Sequence, residues 1–238
     1  DGARMRRIGH LRPLRLPGGD RAAREPWRMG ASLLQNLERS TEIATRWPAV
    51  AGAPALAQLL QRGVHCPPSS SAGRWFDAAS ALLGLCTHMD YEAQAAMQLE
   101  QTAQAYIARH GACAPLAQGW HIAPHNGLSQ LDLLPLLGTL ADRADPGQGA
   151  ALFHATLVDA LAEWTSAQAH TLGLDTVALG GGCFLNALLS TGLTASLRQR
   201  GLRVLHPERV SPGDGGIALG QAWVAQQFLE NPHASASV

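Results

Sequence analysis

The chain has 238 residues, 46% hydrophobic, 15% charged and 5% aromatic, with 18 basic side chains balanced by 18 acidic ones. That is long enough for one large domain or two small ones with a real core. The neutral balance speaks against a nucleic-acid surface, and the absence of any 18-residue apolar run excludes a membrane-spanning helix.

The chain opens Asp1-Gly2-Ala3-Arg4, with no initiator Met and no signal-like apolar stretch, and reads as a piece of something longer whose site extends outside it. Residues 10–17 alternate polar and apolar and run into Pro17-Gly-Gly-Asp20, the pattern of a short edge strand entering a tight turn. From Arg21 to Arg62 the composition is helical but broken by Pro26, Pro48 and Pro54, which predicts two or three short helices. After the break at Pro67-Pro-Ser-Ser-Ser71, residues 73–85 read as a helix with Phe76, Ala79 or Ser80, and Leu83 on one face. Asp90–His110 is the cleanest helical stretch, with Asp90 as N-cap, Ala96, Leu99, Ala103 and Tyr106 along one side, and Gly111 closing it. Residues 112–148 are irregular, with a strand near Ser129–Leu133. A long helix follows over 149–172, carrying Phe153, Leu157, Leu161 and Trp164. Then come a strand at Asp175–Leu179, the Gly180-Gly-Gly182 turn and a helix over 183–200. A strand at Leu202–Leu205 leads to a second glycine turn, Ser211–Gly216, which opens a last helix to about Phe228. This is a helix-rich α/β layout, divided as residues 1–30, a mainly helical 31–150, and a second α/β lobe over 151–238.

Two strand–glycine–helix corners in one sheet mark the place where α/β ligand sites form. At the first, Gly181 and Gly182 let the backbone approach a ligand and the following helix offers unpaired N–H groups to an anion. Asn186 falls in that helix's first turn, a ligand group or an ordinary polar residue. At the second, Asp214 is a metal ligand or a helix N-cap. Pro17-Gly-Gly-Asp20 is a third candidate corner, and Arg21, Arg24 and Arg28 behind it would share one helical face, cationic for phosphate or simply solvated. Asp77, one turn after Gly73, either holds a ribose hydroxyl or favours the helix dipole.

Several chemistries drop out. All 18 basic residues are arginine, so no lysine mechanism is available. His121 and His125 have metal-ligand spacing only in a helix, and Pro124 argues for an extended segment in which they stand roughly 13 Å apart. Cys66, Cys86, Cys113 and Cys183 form no Cys-x-x-Cys pair, which fits a reducing, cytoplasmic setting. Cys183 lacks an activating neighbour in sequence and reads as a small buried residue.

Four ordered segments, Leu16–Arg28, Ser71–Gly84, Gly181–Asn186 and Ser211–Gln221, together resemble the C-terminal part of the HypF carbamoyltransferase family of [NiFe]-hydrogenase maturation. The resemblance implies an actin/sugar-kinase/Hsp70-type (ASKHA) transferase domain, here its C-terminal portion, related to the enzyme that makes threonylcarbamoyladenosine on tRNA. It further implies that upstream modules make carbamoyl adenylate from carbamoyl phosphate and ATP. This domain would then pass the carbamoyl group to the C-terminal cysteine of a HypE-like acceptor, for cyanide ligand synthesis. By the same resemblance Gly73, Asp77 and Asn186 hold adenosine, Asp20 is a further ligand contact, and Asp214 binds a divalent metal, iron in the family. The family's histidine ligands and another aspartate would lie upstream. An O-carbamoyltransferase acting on a small metabolite shares these motifs, and a non-catalytic partner-docking fragment is the reading from another class. The tRNA-modifying relative fits less well, because the chain is neutral.

Overall fold

The computed structural model describes residues 5–230, so the opening tetrapeptide and the last eight residues lie outside the described part. Pro13 splits the expected edge strand. Before it, β1 (Gly9–Leu11) joins one sheet; after it, β2 (Leu14–Arg15) turns away to pair with β3 (Pro68–Ser69) in another. A proline cannot donate to a ladder, and here it is where the chain leaves one sheet for the next.

The prolines of the helical region start helices rather than only ending them. α1 (Pro26–Asn36) and α3 (Ala53–Arg62) each carry proline in the first two positions, where its missing N–H costs nothing; the four-residue α2 (Ile43–Arg46) lies between them. α4 (Ala72–Leu82) buries Trp75 and Phe76 almost completely. α5 begins later than expected, at Gln94, and runs to His110 with Ala95, Leu99 and Ala103 buried. Asp90 is therefore not its N-cap. That position is Ala93 in a left-handed conformation, while the Asp90 N–H donates back to the Gln94 side chain at 2.6 Å.

The irregular stretch holds more structure than its composition suggests. β4 (His121–His125) and β5 (Leu128–Asp132) form a hairpin across Asn126-Gly127, both at positive φ, the geometry such a turn requires. β5 also pairs in parallel with β1, giving the order β1-β5-β4. α6 (Leu134–Ala141) follows, again started by a proline. α7 (Pro146–Thr171) begins three residues before its expected start, because Asp145 accepts the N–H groups of Gly147 and Gln148 as N-cap.

The C-terminal unit has β6 (Thr176–Ala178), α8 (Ala187–Gln199), β7 (Arg203–Leu205) and α9 (Ile217–Glu230), with β6 and β7 parallel. One core runs from Leu11 to Leu189, so it draws on residues 1–30, 31–150 and 151–238 alike. A smaller cluster of Ala162, Leu179, Leu193, Leu197 and Val204 seals the β6–β7 pair under α8. No helix among the described residues is long and apolar enough to cross a membrane.

α9 stands apart. None of its residues is buried, and Ile217, Leu219 and Trp223 are about half exposed or more. Truncating the chain after Gly216 is therefore expected to change its unfolding free energy by less than about 1 kcal/mol, whereas Leu99→Ala in the core should cost about 2–5 kcal/mol. Urea denaturation of both variants checks this; a truncation as costly as Leu99→Ala would show that α9 packs on this chain.

Candidate functional site

The two glycine corners are built against each other. Both follow the carboxyl ends of parallel strands, the first after β6 and the second in the loop after β7. Gly181, at φ 108° and ψ 152°, holds a conformation only glycine adopts without strain, and its N–H donates to the Pro212 carbonyl at 2.6 Å. A side chain at Gly216 would approach the Ser211 carbonyl to 2.7 Å, so that glycine serves the turn itself. At Gly182 an added Cβ meets nothing within 4 Å: the space there is open. Beside the corners lies an open cleft of about 530 Å³, lined by Leu179, Gly180, His206, Ser211, Gly213 and Ile217 among others.

The helix after the first corner does not offer free N–H groups to an anion, as the sequence pattern suggests. Residues 182–185 form a 3-10 turn and α8 starts only at Ala187, which moves Asn186 from the first turn to the N-cap. The N–H groups of Ala187 and Leu188 donate to the Glu100 carboxylate of α5 at 2.6 and 3.3 Å, and that of Leu189 to Asn186 Oδ1 at 2.9 Å. The helix end is thus filled by the protein's own carboxylate, which neutralises its positive dipole end.

Asn186 is buried, and its amide nitrogen contacts His154 Nε2 of α7 at 3.2 Å. His154 Nδ1 in turn lies 2.8 Å from the Ala150 carbonyl. With Nδ1–H donating to that carbonyl, Nε2 accepts from Asn186, which requires a neutral ring. Burial lowers the His154 pKa to about 4, against a smaller raising effect of the Ala150 bond, so the ring is neutral at physiological pH. His154 and Glu100 are the two residues of this neighbourhood that sequence reasoning misses. A histidine placed directly after Phe153 in a long apolar helix is the signal that could have found the first; nothing local marks Glu100.

Asp77 lies on α4 and is almost fully buried. Burial pushes its carboxyl up to about 6, and the Arg74 guanidinium, 3.0 Å away, opposes this. The contact is one of charge rather than a directed hydrogen bond, since Asp77 Oδ2 has no hydrogen-bond partner among the described residues. The charge on Asp77 reaches the Cys183 thiol of the first corner, whose pKa is raised first by burial and then by this carboxylate. Phe76 packs edge-on against His154, with ring centroids 5.8 Å apart. The structure therefore brings Asp77, Asn186 and the Gly181-Gly182 corner into one neighbourhood, with Gly73 half-buried at the start of α4. Gly73 is not forced by crowding: a Cβ there meets only Ser71 Oγ at 3.6 Å.

Asp214 is exposed and opens a 3-10 turn whose N-cap is Gly213, so it is not a capping residue, and its carboxylate makes no hydrogen bond among the described residues. Asp20 is likewise exposed and unengaged, within the 3-10 helix Gly19–Ala23. The three-arginine face does not form. The helix is interrupted before Pro26, and Arg21 and Arg28 close on Glu25 at 2.9 and 2.5 Å instead of facing a ligand. Burial works against the ionised Glu25, but the hydrogen bonds from Arg28 and Arg21 outweigh it and hold the carboxyl below its ordinary range. His121 and His125 sit on an extended strand. Among the described residues, no three His, Cys, Asp or Glu side chains are grouped to hold a metal ion.

The buried groups make a testable statement about pH. Asp77 titrates at about 6 when folded against an ordinary 3.8, so between these values the folded state holds the extra proton and stability is lost as pH rises. His154 has the opposite sign, its contribution being lost as pH falls from 6.5 toward 4. Asp77→Asn removes only the first effect. Its stability relative to wild type should therefore improve by up to about 3 kcal/mol between pH 4 and pH 7, as read by urea denaturation at both. A pH-independent difference would show that Asp77 is not desolvated as described.

The family model described as "Carbamoyltransferase, Kae1-like Domain, second subdomain" matches residues 1–221. The chain is 46% identical to carbamoyltransferase HypF2 of Cupriavidus necator over 97% of its own length and 31% of that protein, and 50% identical to a HypF homolog of the same organism over 92% and 57%. It is 43% identical to HypF of Rhizobium leguminosarum bv. viciae over 99% and 30%. A full-length HypF crystal structure in its phosphate- and nucleotide-bound form superposes with a TM-score of 0.81 at 26% identity, over 95% of this chain and 29% of that one. The HypF of T. kodakarensis gives 0.78, also at 26% identity, over 94% and 30%. The chain thus spans between about a third and somewhat over half of the length of these curated relatives. It belongs to the HypF carbamoyltransferase family, as the second subdomain of its Kae1-like domain.

Proposed function

We propose that this chain supplies the nucleotide-holding half of a carbamoyltransferase site, which passes the carbamoyl group of carbamoyl adenylate to the C-terminal cysteine of a HypE-like acceptor. The observation that carries the reading is the meeting of three elements. The backbone at Gly182 is open, the second corner touches the first, and Asp77 beside them is buried with an oxygen lacking a hydrogen-bond partner. A ribose hydroxyl donating to that carboxylate would satisfy it, which is how buried polar groups are ordinarily completed. The solved HypF in a phosphate- and nucleotide-bound form supports the same ligand class.

In the reaction the acceptor thiolate attacks the carbamoyl carbon, a C–S bond forms, and the C–O bond to the phosphate breaks, with AMP leaving with the electron pair. The mixed anhydride is already activated, so no nucleophile is asked of this chain. Its thiols suit that division, since burial or partial burial raises the pKa of each of Cys66, Cys86, Cys113 and Cys183. What the chain's own residues do is bind and orient: the glycines let the backbone come close to the ligand, and Asp77 accepts from the ribose. Asn186, its amide held by His154 and the Leu189 N–H, sets the adenosine through its second Nδ2–H and by fixing the corner beside it. ATP and carbamoyl phosphate are the substrates of the upstream step that makes the adenylate, and the setting is cytoplasmic.

A divalent metal ion, iron in the family, finds one ligand in this chain. Asp214 fits the part because its carboxylate is exposed, unengaged and flanked by the glycines of the second corner, and the remaining ligands would have to come from outside the described residues. When bound, such an ion polarises a carbamoyl or phosphoryl oxygen.

Two substitutions test the reading. Gly182→Val places a branched side chain in open space, so the chain should fold normally while its affinity for an ATP analogue falls about tenfold, or 1.4 kcal/mol. Calorimetry that finds a folded variant with unchanged affinity removes the phosphate corner. Asp214→Asn, made in the complete polypeptide, keeps a neutral oxygen but loses the charge a cation needs. Metal content and transfer to the acceptor thiol should both fall while carbamoyl-adenylate formation persists. Full metal occupancy with normal transfer would dismiss Asp214 as a ligand.

A further inference from the structure

Arg74 stands between two residues assigned to the nucleotide, Gly73 and Asp77, and carries no role of its own in that assignment. We propose that Arg74 is a positioning residue for this site: its guanidinium fixes the Asp77 carboxylate beside the glycine corner and keeps it in the form that accepts from a ligand hydroxyl. The inference rests on Asp77 meeting the nucleotide.

The geometry is specific. Three residues apart on α4, the two side chains share one helix face, and Arg74 Nη2 lies 3.0 Å from Asp77 Oδ2. The Asp77 side chain is 4% exposed and that of Arg74 only 20%. Arg74 Nη1 is buried and has no acceptor, just as Asp77 Oδ2 has no donor aligned on it. A buried ion pair with unsatisfied groups on both partners is a poor device for stability, since apolar residues of similar volume serve a core as well or better. Its presence beside Cys183 of the first glycine corner calls for another reason.

That reason is charge control. The titratable groups facing Asp77 are Arg74 on its own helix, Cys183 from the first glycine corner and Cys86 from the segment after α4, while Asp90 acts on Cys86. Both thiols are pushed up by burial and so are protonated at neutral pH. Burial alone drives Asp77 toward its neutral form, and Arg74 is the one charge pulling it back, to about 6. Without Arg74 the carboxyl moves further up, toward the neutral-pH range, and a protonated carboxyl gives up acceptor capacity for an O–H donor.

The test is the affinity of the 238-residue chain for a non-hydrolysable ATP analogue, measured by calorimetry from pH 7 to pH 9 for wild type, Arg74→Gln, Arg74→Lys and Asp77→Asn. Wild type should bind with constant affinity across this range. Arg74→Gln should bind about tenfold more weakly at pH 7, equivalent to 1.4 kcal/mol, and recover as the pH rises. Arg74→Lys, which keeps the charge, should bind at pH 7 much as wild type does. Asp77→Asn should be weak at every pH. If Arg74→Gln binds as wild type throughout, or is weakened equally at all pH values while Asp77→Asn is weak, the positioning role is overturned and the nucleotide assignment of Asp77 stands. If Asp77→Asn binds normally, that assignment falls and the inference with it.

Discussion

The contact on which the site depends is the one between Asn186 and His154. It joins the start of α8 to the middle of α7, and it exists only because His154 is neutral, with Nδ1–H given to the Ala150 carbonyl and Nε2 left to accept. Asn186 spends its other end on the Leu189 N–H. One side chain thereby fixes where α8 begins, and the 3-10 turn and glycine corner before it follow. Glu100 completes the arrangement from α5 by accepting the two N–H groups ahead of Leu189. Three helices thus hold a loop whose own residues are mostly exposed, so the rigid parts carry the cost of order and the loop remains open to a ligand.

Burial of polar groups at this spot is not free, and its two main instances pull in opposite directions. Asp77 resists ionising and His154 resists protonation, each for lack of water. A core built only for stability would have neither. Their clustering with the glycine corners is what distinguishes this region from the rest of the core, where the buried residues are overwhelmingly apolar.

α9 is the counterpart of that tightly held region. Apolar over most of its length yet with none of its residues buried among the described residues, it contributes little to the fold. A helix of its length is marginal when it packs against nothing, and in this chain its place is fixed through the 3-10 turn at Asp214–Gly216. The second corner therefore has the weaker support of the two.

Patterning in the sequence determined most of the helices and the two parallel strands with their glycine turns, but not the break at Pro13 that sends residues 10–17 into two different sheets. Those features come from local rules: apolar spacing, proline position and glycine's freedom. The hairpin at Asn126-Gly127 is missed, because its first strand is polar and carries His121, Pro124 and His125, with no apolar alternation to mark it. Tertiary structure alone decided which polar residues answer each other. Asn186 and His154 are 32 positions apart and Glu100 and Ala187 are 87 apart, and no periodicity links them. The same holds for Arg21 and Arg28, whose apparent shared face dissolves because Glu25 and a break before Pro26 take both charges. Local propensity chooses an element, but desolvation chooses its partners. A buried donor or acceptor must find its complement wherever the fold brings one, and that is a property of the packed chain, not of its order.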